Sequence, residues 1–465
     1  MKKLNLRGKD LRKIGYPEGK VISVIINIVQ KHYKRYRKKE ILDILSDVLE
    51  NPEKYKNHDI LRKIVEELNP KKKEKHKEIA LNPEIKDYKI YGEKEIEFGA
   101  IQQMNTAMQL PVSEKGALMP DAHLGYGLPI GGVLATNNVI IPYGVGMDIG
   151  CRMCMSVYDI SPSIIKKDKT RLINILEDNT RFGKHSFKSP MDDPIMERKE
   201  FKEIKILREL KAKAFSQLGT SGFGNHFVDV GIFEIIDVNN EFNLLPGNYF
   251  AILSHSGSRG MGAGIAKYYT NIAMELCKLP KGAKHLAWLG LDTQEGQEYW
   301  QVMNLAGDYS AANHSHIHLR LSNALKTKPL VKIENHHNFA WKEKLENGKD
   351  VIVHRKGATP AHKGVLGIIP GSMATPAYIV RGKGNSESIN SAAHGAGRLM
   401  SRSKAKQIIK RKEMNQVLEK AGIYLLGGGL DEAPMVYKDI NKVMKYQEEL
   451  VEVIGIFYPK IVKME

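Results

Sequence analysis

Apolar residues recur at helical spacing along the first seventy or so positions. Val21, Val24, Ile25, Ile28 and Val29 form one set, Ile41, Leu42, Leu45, Val48 and Leu49 a second, and Leu61, Ile64, Val65 and Leu68 a third. Side chains three and four positions apart share a helix face, so each set predicts an amphipathic helix. Asn51-Pro52 and Asn69-Pro70 punctuate these runs, as expected where the residue before a proline is driven out of helical geometry. The pattern predicts a small all-helical domain over residues 1–80, ended by the linker-like segment Lys71–Lys77.

Beyond residue 90 the period changes. Short apolar runs such as Gly132–Ala135, Asn138–Ile141, Tyr249–Leu253 and Val351–His354 are separated by glycine turns and predict strands. Helical stretches intervene, notably Met196–Gln217 and Tyr299–Leu325. Neither regular βα alternation nor an internal repeat is visible, so residues 81–465 are expected to form an α+β domain with mixed sheets and flanking helices rather than a doubly wound sheet.

Charge adds a partner class. The 465 residues carry 71 Lys and Arg against 53 Asp and Glu, a net +18. Residues 1–80 hold 22 of the cations against 12 carboxylates, which leaves +10 in under a fifth of the length. Such a field attracts a polyanion, and nucleic acid is the natural candidate. The run Lys31-His32-Tyr33-Lys34-Arg35-Tyr36-Arg37-Lys38-Lys39 offers cations for phosphates and rings for bases, with a solvated helix face as the alternative. Three cysteines, Cys151, Cys154 and Cys277, are too few and too odd for a disulfide framework and point to a reducing compartment. The Met1-Lys2-Lys3 start lacks a signal-type apolar segment, and the longest apolar run, Val21–Val29, is far too short to span a bilayer. A soluble cytoplasmic protein without a membrane partner is expected.

Candidate chemistry gathers in glycine-rich segments. Ser391-Ala392-Ala393-His394-Gly395-Ala396-Gly397-Arg398 sets a histidine among small residues, where a phosphate can approach it and backbone N–H groups and Arg398 can take up the charge. Gly144-Val145-Gly146-Met147-Asp148-Ile149-Gly150-Cys151 places a carboxylate and a thiolate three residues apart on a segment able to turn both toward one cation. His226 in Gly222–Phe227, His255 in Ser254–Gly260 and His337 in Glu334–Asn338 sit in similar surroundings. Any one of them reads as an ordinary core or surface histidine; together they suggest a site. Cysteine with histidine is a donor set that composition alone assigns to zinc or iron. No phosphate-binding loop of the form Gly-x-x-x-x-Gly-Lys-Ser/Thr occurs, and the Lys-x-Asp-Gly nucleophile motif of lysine-dependent nucleotidyl transferases is missing.

The segments around Asp148, Asn225, His255, His337, Arg355–Thr359, Ile369–Met373, His394 and Asp431–Pro434, in this order from about residue 90 onward, resemble those of the RtcB family of RNA ligases. The resemblance implies an RtcB-like catalytic domain and a GTP-dependent joining of RNA 3′-phosphate or 2′,3′-cyclic phosphate ends to 5′-hydroxyl ends, in RNA splicing or repair. By it, Asp148, Cys151, His226, His255 and His337 hold two manganese ions, with the Cys151 thiolate bridging them. His394 matches the family's nucleophile, which attacks the α-phosphate of GTP to form a histidine–GMP intermediate that then activates the RNA end. Nucleotide contacts fall to Asn225, Phe227, Asp229, Ser372, Gly395, Ala396, Gly397, Arg398, Tyr437 and Lys463, and RNA or phosphate contacts to Arg259, Arg355 and Lys356. Archease is a candidate activating partner. Two positions depart from the family: Asp229 stands where glutamate is usual, and Asn313-His314 where Asn-Arg is expected, which would weaken one phosphate interaction. A metal-dependent cyclic phosphodiesterase that opens ends without joining them, and a non-catalytic RNA-binding relative, are the alternatives; an intact His394 motif and a full set of site residues speak against them.

Overall fold

A computed structural model describes residues 6–17, 20–34, 36–68 and 77–465. The chain forms two compact units that divide between Lys77 and Glu78. Arg35 of the basic run and Lys71–His76 of the expected linker lie outside the described residues.

The described residues of the first unit form helices joined by turns. Helices Lys20–His32, Lys38–Glu50 and Arg62–Leu68 coincide with the three apolar sets, and a short helix Gly8–Lys13 precedes them. Ile25, Val29, Ile41, Leu45, Val48, Ile64 and Val65 are buried together, because their spacing puts them on inward faces. Lys31, Lys34, Arg37 and Lys39 are exposed, and Tyr33 and Tyr36 meet edge to face with ring centroids 5.2 Å apart.

The second unit is α+β and is built on two sheets. In the larger, the strands run in the order Leu366–Pro370, Ala377–Gly382, Val451–Lys463, Phe227–Ile235, Gly247–Ser256, Arg152–Tyr158 and Pro329–His336, with Tyr424–Leu426 beside Val451–Lys463. All consecutive pairs along that path are antiparallel. The smaller sheet runs Lys89–Ile90, Ser113–His123, Ile130–Thr136, Asp350–Lys356 and Asn338–Lys344. Val157, Leu253 and Phe457 on one face of the large sheet contribute to its core, while Tyr158, Phe250 and Ile252 alternate onto the face covered by helix Gln294–Leu325.

That helix begins five residues before the expected Tyr299, since Thr293 caps it by accepting a hydrogen bond from the Gly296 amide at 3.2 Å. The stretch Met196–Gln217 is not one helix. It breaks into a 3₁₀ turn, Pro194–Glu197, and helices Glu200–Glu203 and Lys205–Gln217, with Ile204 in extended geometry between the last two.

Candidate active site

His394 follows the three-residue strand Ser391–Ala393, which pairs with Ala358–Pro360. Its imidazole Nδ1 donates to Asp121 Oδ2 at 2.6 Å, and its backbone N–H donates to the same oxygen at 3.3 Å. Asp121 is fully buried on the strand Ser113–His123. Because the carboxylate fixes the proton on Nδ1, Nε2 is left with its lone pair free. The glycine three residues later is required by the same neighbour: Gly397 has φ +75°, and a Cβ there would lie 2.0 Å from the Asp121 carbonyl oxygen.

The metal-type donors converge beside it. Cys151, just ahead of the strand Arg152–Tyr158, has its Sγ 3.4 Å from His226 Nε2 and 3.1 Å from His255 Nε2. Asp148 Oδ2 lies 3.0 Å from His226 Nε2, and His255 Nε2 lies 3.2 Å from His337 Nε2. Asp148, Cys151 and His226 thus form one donor group and Cys151, His255 and His337 another, each with its ligand atoms within 4.8 Å of one another and both sharing the thiol. Gly257 leaves room for the carboxylate, since a Cβ there would lie 2.3 Å from Asp148 Oδ1. The ring centroids of His337 and His394 are 5.0 Å apart, so the histidine nucleophile candidate adjoins the donor set.

Electrostatics suit a cation. Burial lowers His255 to about 3 and His337 well below the usual imidazole range, so both rings are neutral donors. His255 Nδ1 donates to the Asn225 carbonyl at 2.9 Å, which turns the lone pair of its Nε2 toward Cys151, an arrangement typical of metal-ligating histidines. Burial and the Asp148 carboxylate raise the Cys151 thiol well above its ordinary value; a coordinated cation reverses that. Burial also pushes up the Asp148 carboxyl, but the hydrogen bond and charge of His226 outweigh it and leave it below the usual range. His226 Nδ1 and His337 Nδ1 are buried without hydrogen-bond partners.

A cavity of about 410 Å³ opens on these groups, within the range of small-molecule sites. It is lined by Asp148, Cys151, His226, His255, His337 and His394, and also by Asn225, Phe227, Asp229, Ser372, Gly395, Ala396, Gly397, Arg398 and Tyr437. Asp229 is buried with Oδ1 unpartnered, and burial raises its carboxyl well above the ordinary range. The Tyr437 hydroxyl donates to Glu432, which also pairs with Arg398 at 3.4 Å. Lys356 reaches the cavity, but its ammonium donates to the carbonyls of Tyr126 (2.6 Å) and Leu128 (2.9 Å), and burial lowers it to about 7.

Three expected ligand-binding residues do not line this cavity. Lys463 does not line the cavity: its neighbours Val462 and Met464 do, and strand alternation turns Lys463 to the opposite face, where Nζ donates to the Leu176 carbonyl at 2.9 Å. Arg355 is fully buried, pairs with both Glu343 oxygens (2.6 and 3.1 Å), and donates further to Ser391 Oγ and the Ile389 carbonyl, which braces the strand ahead of His394. Arg259 sits beside Gly222 with its guanidinium on Thr220 Oγ1 and the Gly183 carbonyl. His314 likewise lies away from the cavity, fully buried under the large sheet, so the weaker phosphate interaction expected from that position finds no counterpart there.

Sequence reasoning assigned no role to Asp121 or Arg402. Asp121 lies 273 residues from His394, beyond any spacing signal, although its Met119–His123 segment is conspicuous. Arg402 lines the cavity and is held by Asp431 at 3.0 Å and by Glu432.

Comparison with known proteins fits this geometry. The profile of the family described as "tRNA-splicing ligase RtcB" matches residues 102–204 and 184–464. The RNA-splicing ligase RtcB of Escherichia coli K12 is 33% identical over 391 residues, covering 77% of this chain and 92% of the relative. The tRNA-splicing ligases RtcB of Nanoarchaeum equitans (29% over 427 residues, 75% and 87% covered) and Thermococcus kodakarensis (28% over 418 residues, 75% and 86% covered) are similar along most of their lengths. With the profile matched across most of the second unit and a third of aligned positions shared with a ligase nearly spanned by this chain, the protein belongs to the RtcB family of RNA ligases.

Proposed function

We propose that this enzyme joins RNA ends bearing a 3′-phosphate or 2′,3′-cyclic phosphate to 5′-hydroxyl ends, using GTP and two manganese ions. The observation that carries the reading is the pairing of His394 with buried Asp121, its free Nε2 beside a donor set whose two halves share Cys151. Asp148, Cys151, His226, His255 and His337 would hold the two ions; manganese in place of a softer metal follows from the family resemblance alone. Bound there, the ions would neutralise phosphate charge and align the reacting groups. Asp121 holds the His394 proton on Nδ1, leaving Nε2 to attack the α-phosphate of GTP as pyrophosphate leaves. Arg398 and the small-residue turn Gly395–Gly397 sit where phosphate oxygens can be received. A cyclic end would first be opened by water to a 3′-phosphate and 2′-hydroxyl; GMP then passes to the RNA 3′-phosphate, and the 5′-hydroxyl displaces it.

Asp229 supports guanine as the base. An unpartnered, buried carboxyl on the cavity wall is matched by the N1–H and exocyclic amine of guanine, and Phe227, Ser372 and Tyr437 complete the walls. The exposed cations of the first unit would bind further RNA phosphates; archease is a candidate activating partner, and the cytoplasm the expected compartment. No helix among the described residues is long and apolar enough to cross a membrane. The test is an incubation of RNA with 3′-phosphate and 5′-hydroxyl ends with the purified chain. The reading requires a joined product that depends on both GTP and manganese. Opening of a cyclic phosphate without joining, independent of GTP, would select the phosphodiesterase alternative.

A further inference from the structure

Three residues beyond Cys151, on the face of the large sheet that packs under helix Gln294–Leu325, a second set of metal-type donors meets that the ligase reading does not use. Alternation along Arg152–Tyr158 turns Cys154 and Ser156 to this face, and register places Ser254 directly opposite Cys154 on the neighbouring strand. His314 and His318 are one helical turn apart and reach down together. Ser254 Oγ lies 2.8 Å from His314 Nδ1 and 2.8 Å from His318 Nε2, while His318 Nδ1 lies 2.8 Å from Ser156 Oγ. One ligand atom each from Cys154, His314 and His318 lie within 4.8 Å of one another, and all three residues are buried.

The serine–histidine chain accounts for three of the four ring nitrogens. His314 Nε2 remains buried with no hydrogen-bond partner, in a residue with no exposed surface. The nitrogens that converge beside Ser254 Oγ are His314 Nδ1 and His318 Nε2. Burial keeps both rings neutral, His318 at about 3 and His314 well below its ordinary range, so their lone pairs are available, and it raises Cys154 to about 12. The adjacent carboxylate, Glu334, is engaged with Arg152 at 3.3 Å and Lys332 at 3.7 Å, which leaves a thiol and two imidazoles as the donors. That set is soft, unlike the oxygen ligands that manganese or magnesium prefers.

We propose that Cys154, His314 and His318 form a structural zinc(II) site, with Ser254 Oγ beside them to close the fourth position of a tetrahedron. Binding displaces the thiol proton of Cys154 to solvent and forms a zinc–thiolate bond; the two imidazoles and the hydroxyl donate lone pairs without losing protons. The ion would tie the long helix to the strand that follows Cys151. The same helix carries Asn313, whose side chain accepts from the amides of Gly219 (2.7 Å) and Thr220 (3.1 Å) and donates to the Thr220 carbonyl at 2.8 Å. The site therefore anchors the segment leading to His226. It is independent of the ligase reading, since it requires neither GTP nor RNA.

The test is anomalous diffraction at the zinc absorption edge from crystals of the full chain produced in zinc-supplemented medium. The expected result is a peak enclosed by Cys154, His314 and His318, separate from any peak at Cys151. In solution, Cys154→Ser and His314→Gln should each lower bound zinc by about one equivalent per chain relative to the unmodified protein, whereas Cys277→Ser should not. Peaks confined to the Cys151 centre, or no peak, would overturn the proposal. The map from the unmodified chain decides the matter even if a variant fails to fold.

Discussion

Replacing Asp121 by asparagine tests how the nucleophile is prepared. The native carboxylate makes a 2.6 Å bond to His394 Nδ1 and accepts the His394 amide at 3.3 Å through the same oxygen. Two donors converge on one point, so the asparagine should turn its carbonyl, not its amino group, toward them. The reactive tautomer then survives and only the charge is removed. A hydrogen bond to a charged group contributes about 1.5–3 kcal/mol against about 1 kcal/mol for a neutral one. The difference of about 0.5–2 kcal/mol predicts a roughly two- to thirty-fold slower guanylylation, well short of the roughly ten-thousand-fold drop that follows when an amide holds a catalytic histidine in the wrong tautomer. Asp121→Ala, which frees the ring, should be slower than Asp121→Asn. The assay is single-turnover transfer of label from α-labelled GTP to the protein, with metal content measured in parallel. An Asp121→Asn rate equal to that of the unmodified protein would sink the positioning role, and a decline that tracks metal content would move the role of Asp121 to the metal centre.

Asp229→Glu should sharpen discrimination of GTP over ATP by about five- to thirty-fold, roughly 1–2 kcal/mol, the order of one net hydrogen bond, because the unpartnered Asp229 Oδ1 would be carried about 1.5 Å farther into the cavity; competition between the two nucleotides in adduct formation measures it. Removing residues 1–77 should leave guanylylation intact while weakening RNA binding, with the slope of log affinity against log salt shallower by about 0.7 for each single-strand phosphate that the first unit neutralises. His354, buried with Nε2 accepting from the Ile141 amide at 2.9 Å, is lowered by burial to about 4. Between its unfolded value near 6.5 and about 4 the unfolded chain binds a proton that the folded chain refuses, so stability falls as pH drops through that window, by up to about 3 kcal/mol at its lower end. Denaturant titrations from pH 7 to pH 4.5 should show a smaller acid-dependent decline in His354→Gln than in the unmodified protein.

Much of this was legible because the signals were local. Helical spacing located three helices of the first unit, though not Gly8–Lys13, and the Asp148-x-x-Cys151 turn and three histidines in glycine, serine or asparagine settings pointed to residues that meet around one thiol. What stayed hidden depended on residues far apart in sequence or on which face of a strand a residue takes. The Asp121–His394 pair joins a strand to the turn after another in a distant part of the chain, and nothing in either segment encodes the other. Arg355 reads as a phosphate ligand until Glu343, on the adjacent strand Asn338–Lys344, is seen to occupy its guanidinium. Lys463 is turned from the cavity by a single step of alternation, since the residues on either side of it face the cavity. His314 read only as a family departure, and its spacing of 160 residues from Cys154 carries no signal; only the packing of helix on sheet brings them together.

Everything proposed for the reaction rests on His394 as the residue that carries GMP. Incubating the full chain with manganese and α-labelled GTP, digesting it, and locating the adduct by mass spectrometry under conditions that preserve the acid-labile phosphorus–nitrogen bond examines that assignment without intermediaries. One GMP is expected on the peptide containing His394, and none in His394→Ala although that variant keeps the metal of the unmodified protein. GMP on a lysine or on another histidine, or no covalent nucleotide from a fully metallated enzyme, would overturn the assignment.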